Sequence, residues 1–116
     1  MAVDGVGLFE TDLARTLRRE FEAAIASGAS AYVAGDRAMQ AHADLVNDPE
    51  WGPVIFYALA ALQMEHGVIG SAIRKRALTY INSGEGLDVW RGREEEIVAA
   101  RKKIEQQLRA KLIAMG

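Results

Sequence analysis

The stretch DGVGLFETD, Asp4 to Asp12, sets two glycines two residues apart between acidic side chains. A phosphate loop, a cation loop and a tight turn feeding a helix could each be built from it. A phosphate-binding loop needs G-x-x-x-x-G-K-[ST], or G-x-G-x-x-G after a strand. Here Glu10 stands where the third glycine belongs, and Glu10 and Asp12 would repel phosphate at the helix end that ought to attract it. Asp4, Glu10 and Asp12 offer oxygen ligands, but not in the order of an EF-hand. The spacing therefore favours a turn in which Gly5 and Gly7 permit a sharp path, Leu8 and Phe9 enter the core, and Thr11 and Asp12 start a helix.

Other chemistry-bearing residues are scattered. His42 and His66 have no partner histidine at i+4, and HExxH is absent. His66 answers the negative end of a helix, and neither histidine implies a metal. Ser27, Ser30, Ser71 and Ser83 fall at expected helix ends or loops, and none lies in G-x-S-x-G. No catalytic residue is identified, and no cofactor is implied. Gln63 is the one polar side chain in a nearly all-apolar run, so burial obliges it to find partners. It is expected to tie down a loop backbone, the Gly5–Gly7 segment being the candidate. With Glu10 and Asp12 it makes up an alternative ligand site under that loop. Trp51 and Trp90 sit at expected loops, and VWRGR (Val89 to Arg93) joins the two residue types that dominate protein interfaces. A loop tryptophan either covers the end of the core or anchors an interface; on the second reading Trp90, Arg91 and Arg93 are the candidate partner contacts. The basic clusters Arg74-Lys75-Arg76 and Arg101-Lys102-Lys103 carry no interleaved aromatics and read as solvated helix faces.

Composition narrows the classes. The chain has 116 residues, is 50% hydrophobic and carries a net charge of −2. That suits one helical domain, residues 1–116, with a packed core and no long-range pull toward nucleic acid or an anionic membrane. Cysteine is absent, which excludes disulfides, thiolate metal sites and a thiol nucleophile. The acidic N-terminus argues against a signal peptide, and the apolar stretch Val54–Leu62 is shorter than the roughly 20 residues a bilayer requires. A cytoplasmic location is expected.

The elements that would position these residues are all α. A first helix is expected from Thr11 to Ser27, with Leu13, Leu17, Phe21 and Ile25 as its apolar stripe and Gly28 ending it. Ser30 caps a second, running to Val46, with Val33, Ala34, Ala38, Ala41 and Leu45 inward and Gly35 weakening its middle. Pro53 opens a third, residues 53–66, apolar all round and therefore central. A fourth covers Ile69 to Asn82, Leu87–Trp90 makes a short turn, and a last helix runs from Arg93 to Ala114. Its stripe is Ile97, Ala100, Ile104, Leu108 and Leu112, with a Glu105–Arg109 surface pair. The fold expected is about five helices packed around residues 53–66.

Three stretches in order resemble a family of small bacterial proteins of unknown function. Its opening, W-G-x-G-x-F-E-x-D-x-A, is similar through Gly5, Gly7, Phe9, Glu10, Asp12 and Ala14, with Asp4 standing where the pattern has Trp. Its central P-V-x-F-x-A-L-A-x-x-Q is similar through Pro53, Val54, Phe56, Ala58, Leu59, Ala60 and Gln63. Its later K-A-L-x-x-I-x-S-G-E-D-L-x-x-W is similar through Ala77, Leu78, Ile81, Ser83, Gly84, Glu85, Leu87 and Trp90. The resemblance implies a bacterial all-helical domain and no activity. The reading that follows is a non-enzymatic factor that binds another protein, of inhibitor, immunity or regulatory type, with self-association through the last helix as a further route. The alternative is a small-molecule or ion site under the N-terminal loop, with or without catalysis.

Overall fold

The central feature of the fold is α3 (Trp51–Glu65), which touches each of the other helices: α1 (Asp12–Ala26), α2 (Ala31–Ala41), α4 (Ser71–Ser83), α5 (Glu85–Asp88) and α6 (Glu95–Met115). The computed structural model describes residues 8, 9, 11–88, 90 and 92–115, and these form six helices and no strand. Asp4, Gly5, Gly7, Glu10, Val89 and Arg91 lie outside the described residues.

Local chemistry accounts for the element ends. The Thr11 hydroxyl accepts from the Ala14 amide at 3.1 Å, and Ser30 does the same for Val33 at 3.2 Å. Gly28, at φ 102°, closes α1: its amide bonds the Ile25 carbonyl, and the Ala29 amide bonds that of Ala24. On α3, Ile55 to Ala60 are all buried, and the α1 stripe meets them through Leu17 and Phe21.

Several expectations are corrected. The short turn expected at Leu87–Trp90 lies two residues earlier, at Glu85–Asp88, and winds into a short helix, making six among the described residues. α2 stops at Ala41 rather than Val46; the chain then descends through i+3 turns, Leu45 to His42 and Asp48 to Leu45. His42 is therefore the C-cap of α2, not a mid-helix residue, and its Nε2 lies 2.7 Å from Glu20 of α1. Val33 is 42% exposed, because the buried face of α2 follows Ala31, Ala34, Gly35 and Ala38. α3 begins two residues before Pro53, so Trp51 is in its first turn and not a loop. Asp48 caps that turn, its Oδ1 accepting from the Glu50 and Trp51 amides at 2.8 and 3.1 Å. Pro53 is still tolerated, since amides of the first turn have no helical partner to lose.

The basic clusters are not simply solvated. Arg74 Nε donates to the Leu112 carbonyl at 2.9 Å, and Arg76 reaches the Val46 carbonyl at 3.0 Å. Arg101 is 3% exposed and Glu105 1% exposed. The Glu105–Arg109 surface pair does not form: Glu105 faces inward and Arg109 Nε donates to Asn82 Oδ1 at 2.9 Å.

Candidate functional site

Trp90 lies in the turn between α5 and α6, half-buried, with two guanidinium groups against its ring. Arg93 is 5.3 Å from the ring centroid and exposed; Arg101 is 5.0 Å from it and buried. Arg101 also lies 5.7 Å from the Tyr57 ring centroid, so one guanidinium links the surface tryptophan to the core of α3. The aromatic quadrupole favours a cation at such positions.

Three elements supply what lies beneath Trp90. Tyr57 comes from α3, Gly86 from α5, and Arg101 and Glu105 stand one turn apart on α6. The short α5 can cross the phenol only because Gly86 has no side chain: a Cβ there would overlap the Tyr57 hydroxyl and come within 2.9 Å of Glu105 Oε2. Tyr57 is fully buried, and neither its hydroxyl nor Glu105 Oε2 has a hydrogen-bond partner among the described residues.

Burial sets the protonation behaviour of the cluster. It pushes the Glu105 carboxyl up to about 7, against the opposing pull of Arg101 and of the Tyr57 hydroxyl nearby. Burial and then the Glu105 charge push the Tyr57 phenol far above its usual range. Arg101 is lowered by burial, with Glu105 acting in the opposite direction. All three groups are buried beneath the turn that carries Trp90.

The two candidate sites fare differently. Of the partner contacts, Arg93 places its guanidinium 5.3 Å from the Trp90 ring centroid, and Arg91 lies outside the described residues. Of the alternative set, Glu10 lies outside them, and Asp12 and Gln63 share no partner. Asp12 sits exposed in the first turn of α1 with Arg15 at 2.7 Å. Gln63 is buried, its Nε2 donating to the Ala31 carbonyl at 3.0 Å and its Oε1 accepting from the Gly70 amide at 2.8 Å. It does tie down backbone, but that of α2 and the α3–α4 loop; the Gly5–Gly7 segment lies outside the described residues.

Sequence reasoning missed Tyr57, Gly86, Arg101 and Glu105. One signal was present. Ile97, Arg101, Ile104, Glu105, Leu108 and Leu112 recur at i+3 and i+4, so both charges occupy the apolar stripe of the last helix. Among the described residues no group of three or more His, Asp or Glu could hold a metal ion, and no helix is long and apolar enough to cross a membrane. No protein-family model matches the chain, and no curated protein or solved structure matches it.

Proposed function

We propose that this chain is a bacterial, cytoplasmic, non-enzymatic factor that binds another protein through Trp90, Arg91 and Arg93, in the manner of an inhibitor, immunity or regulatory protein. The observation that carries the reading is the approach of an exposed arginine, Arg93, and a buried one, Arg101, to the ring of Trp90. Tryptophan and arginine are the residues most often found at the energetic centre of interfaces, above all where packing has already fixed their rotamers. Arg101 and Tyr57 provide that packing from below. The small net charge of −2 suits recognition by shape and local contacts rather than by a long-range field. The resemblance to a small bacterial family of unknown function supports the bacterial source, and the acidic N-terminus and absence of cysteine support the compartment.

The test is capture from a bacterial lysate on immobilised protein, with crosslinking to identify the bound chain. Trp90→Ala and Arg93→Ala are expected to lose the partner while melting within a few degrees of the wild type. Truncating a true anchor weakens binding by roughly thirtyfold, corresponding to about 2 kcal/mol. Capture that survives both substitutions overturns the reading.

Self-association is a second reading, favoured by the exposure of Ile113 (48%) and Met115 (38%) at the end of α6. Sedimentation of wild type against Ile113→Lys tests it. A monomeric wild type removes it.

A further inference from the structure

A second surface, lined by different residues, carries its own chemistry. A groove of about 300 Å³ runs beside α2 and α4 with Phe56 of α3 at its floor. Met39, Ala43, Val46, Phe56 and Ala72 give it apolar walls, and Arg76 is its one charged lining residue. That volume lies at the small end of ligand sites, which are mostly apolar with a few fixed polar groups.

Arg76 is fixed in place. Its guanidinium carbon lies 4.5 Å from the Phe56 ring centroid and 5.6 Å from that of Tyr80. Its Nη2 donates to the Val46 carbonyl at 3.0 Å, the Tyr80 hydroxyl at 2.9 Å and Asn47 Oδ1 at 3.2 Å. These acceptors are all neutral. Among the described residues no carboxylate pairs with Arg76, and its Nε and Nη1 make no hydrogen bond. Tying the loop after α2 to α4 uses one nitrogen. The charge and two further donor nitrogens are left over, beside an apolar surface.

We propose that this groove binds a free monocarboxylate with an apolar body, its carboxylate on Arg76 and its hydrocarbon over Phe56 between Ala43 and Ala72. Both two-nitrogen forks of a guanidinium include Nη2, which is already engaged, so the carboxylate takes a single charge-assisted hydrogen bond from Nη1, and hydrogen bonds to an ionised group are the strong ones. A single cation answers a singly charged head, whereas a phosphate dianion would leave charge uncompensated against apolar walls. The apolar walls supply the remaining affinity by removing hydrocarbon from water.

Octanoate below its micelle concentration, titrated into the full chain and followed by NMR, is the direct test. Saturable shifts are expected at Met39, Phe56 and Ala72. Octanol, with the same chain and no charge, should bind at least roughly tenfold more weakly, and acetate more weakly still. Arg76→Gln should erase the preference for octanoate over octanol. Because that change also removes a loop tie, Ala43→Leu serves as a second variant: it fills the groove, leaves Arg76 intact, and should weaken octanoate by a similar factor. Equal binding of octanol and octanoate, shifts scattered over the surface, or no saturation would overturn the proposal. So would a wild-type dimer that Ala43→Leu dissociates, since a second copy would then be the occupant.

Discussion

Gly86 of α5 sits directly on the Tyr57 hydroxyl of α3, so close that a methyl group at position 86 would overlap the phenol oxygen. The turn that presents Trp90 is thereby seated on a buried polar group. Gly86→Ala is expected to cost about 2–3 kcal/mol in urea denaturation, from overpacking against a rigid ring. Tyr57→Phe alone should cost about 1 kcal/mol or less at about pH 5, because the hydroxyl it deletes meets no hydrogen-bond geometry among the described residues and acts only on the nearby Glu105 carboxyl. In the double variant part of the alanine cost should return. Additive costs would show that Gly86 and the phenol do not meet.

Glu105 makes stability depend on pH in a direction opposite to that of a salt-bridged acid. Its carboxyl is raised from the ordinary 4.5 to about 7 by burial, so the folded chain holds a proton that the unfolded chain releases. Stability from this group is complete below the unfolded value and declines as pH rises, until the folded value is passed. Other acids titrate in the same range, so the comparison is with Glu105→Gln. The stability of that variant relative to wild type should rise by about 2–3 kcal/mol between about pH 4.5 and about pH 8. A flat difference across that window would mean that Glu105 is solvated.

The sequence disclosed the helices where one face is plainly apolar and the ends carry caps. Thr11, Ser30 and Gly28 were legible for that reason, and so was the centrality of a segment apolar on all sides. The end of α2 was not, because Ala41 and Leu45 keep an i+4 spacing while the backbone turns away after His42. Trp90 and Arg93 were legible as candidate contacts from residue type alone. What holds them was not. Arg101 and Glu105 fall within the apolar stripe of α6, but two charges one turn apart also make an ordinary exposed pair, and the stripe does not say which element covers them. Gln63 was legible as an anchor because it interrupts an apolar run, but its partners, Ala31 and Gly70, are 32 and 7 residues away in sequence.

Gln63 also explains why a glycine sits in the middle of α2. A Cβ at Gly35 would lie 2.5 Å from Gln63 Nε2 and 3.1 Å from Ile73 Cδ1. Gly35→Ala should therefore destabilise, although alanine is better by about 1 kcal/mol in a free helix. Gln63→Leu leaves the Ala31 carbonyl and Gly70 amide without their partner and should cost about 2 kcal/mol, with faster hydrogen exchange at Gly70. In a Gln63→Ala background, Gly35→Ala should become much less harmful, because the amide it would strike is gone. An unchanged cost there would place the obstruction at Ile73.

Arg101 is the residue through which core and surface are coupled, since it approaches both Tyr57 and Trp90 and lies one turn from Glu105. Arg101→Met keeps most of its apolar volume and removes the charge that holds the Glu105 carboxyl down. An isolated buried carboxylate is costly, so Glu105 should take up a proton instead, and its titration in carbon-detected NMR should move above about 7. That uptake limits the loss of stability to about 1–3 kcal/mol at about pH 8, with a smaller loss at about pH 5. Adding Glu105→Leu should recover most of it, because it removes the buried carboxyl that the lost Arg101 charge had favoured in its ionised form. A single variant as stable as wild type at both pH values would show that the Arg101 charge does not act on Glu105.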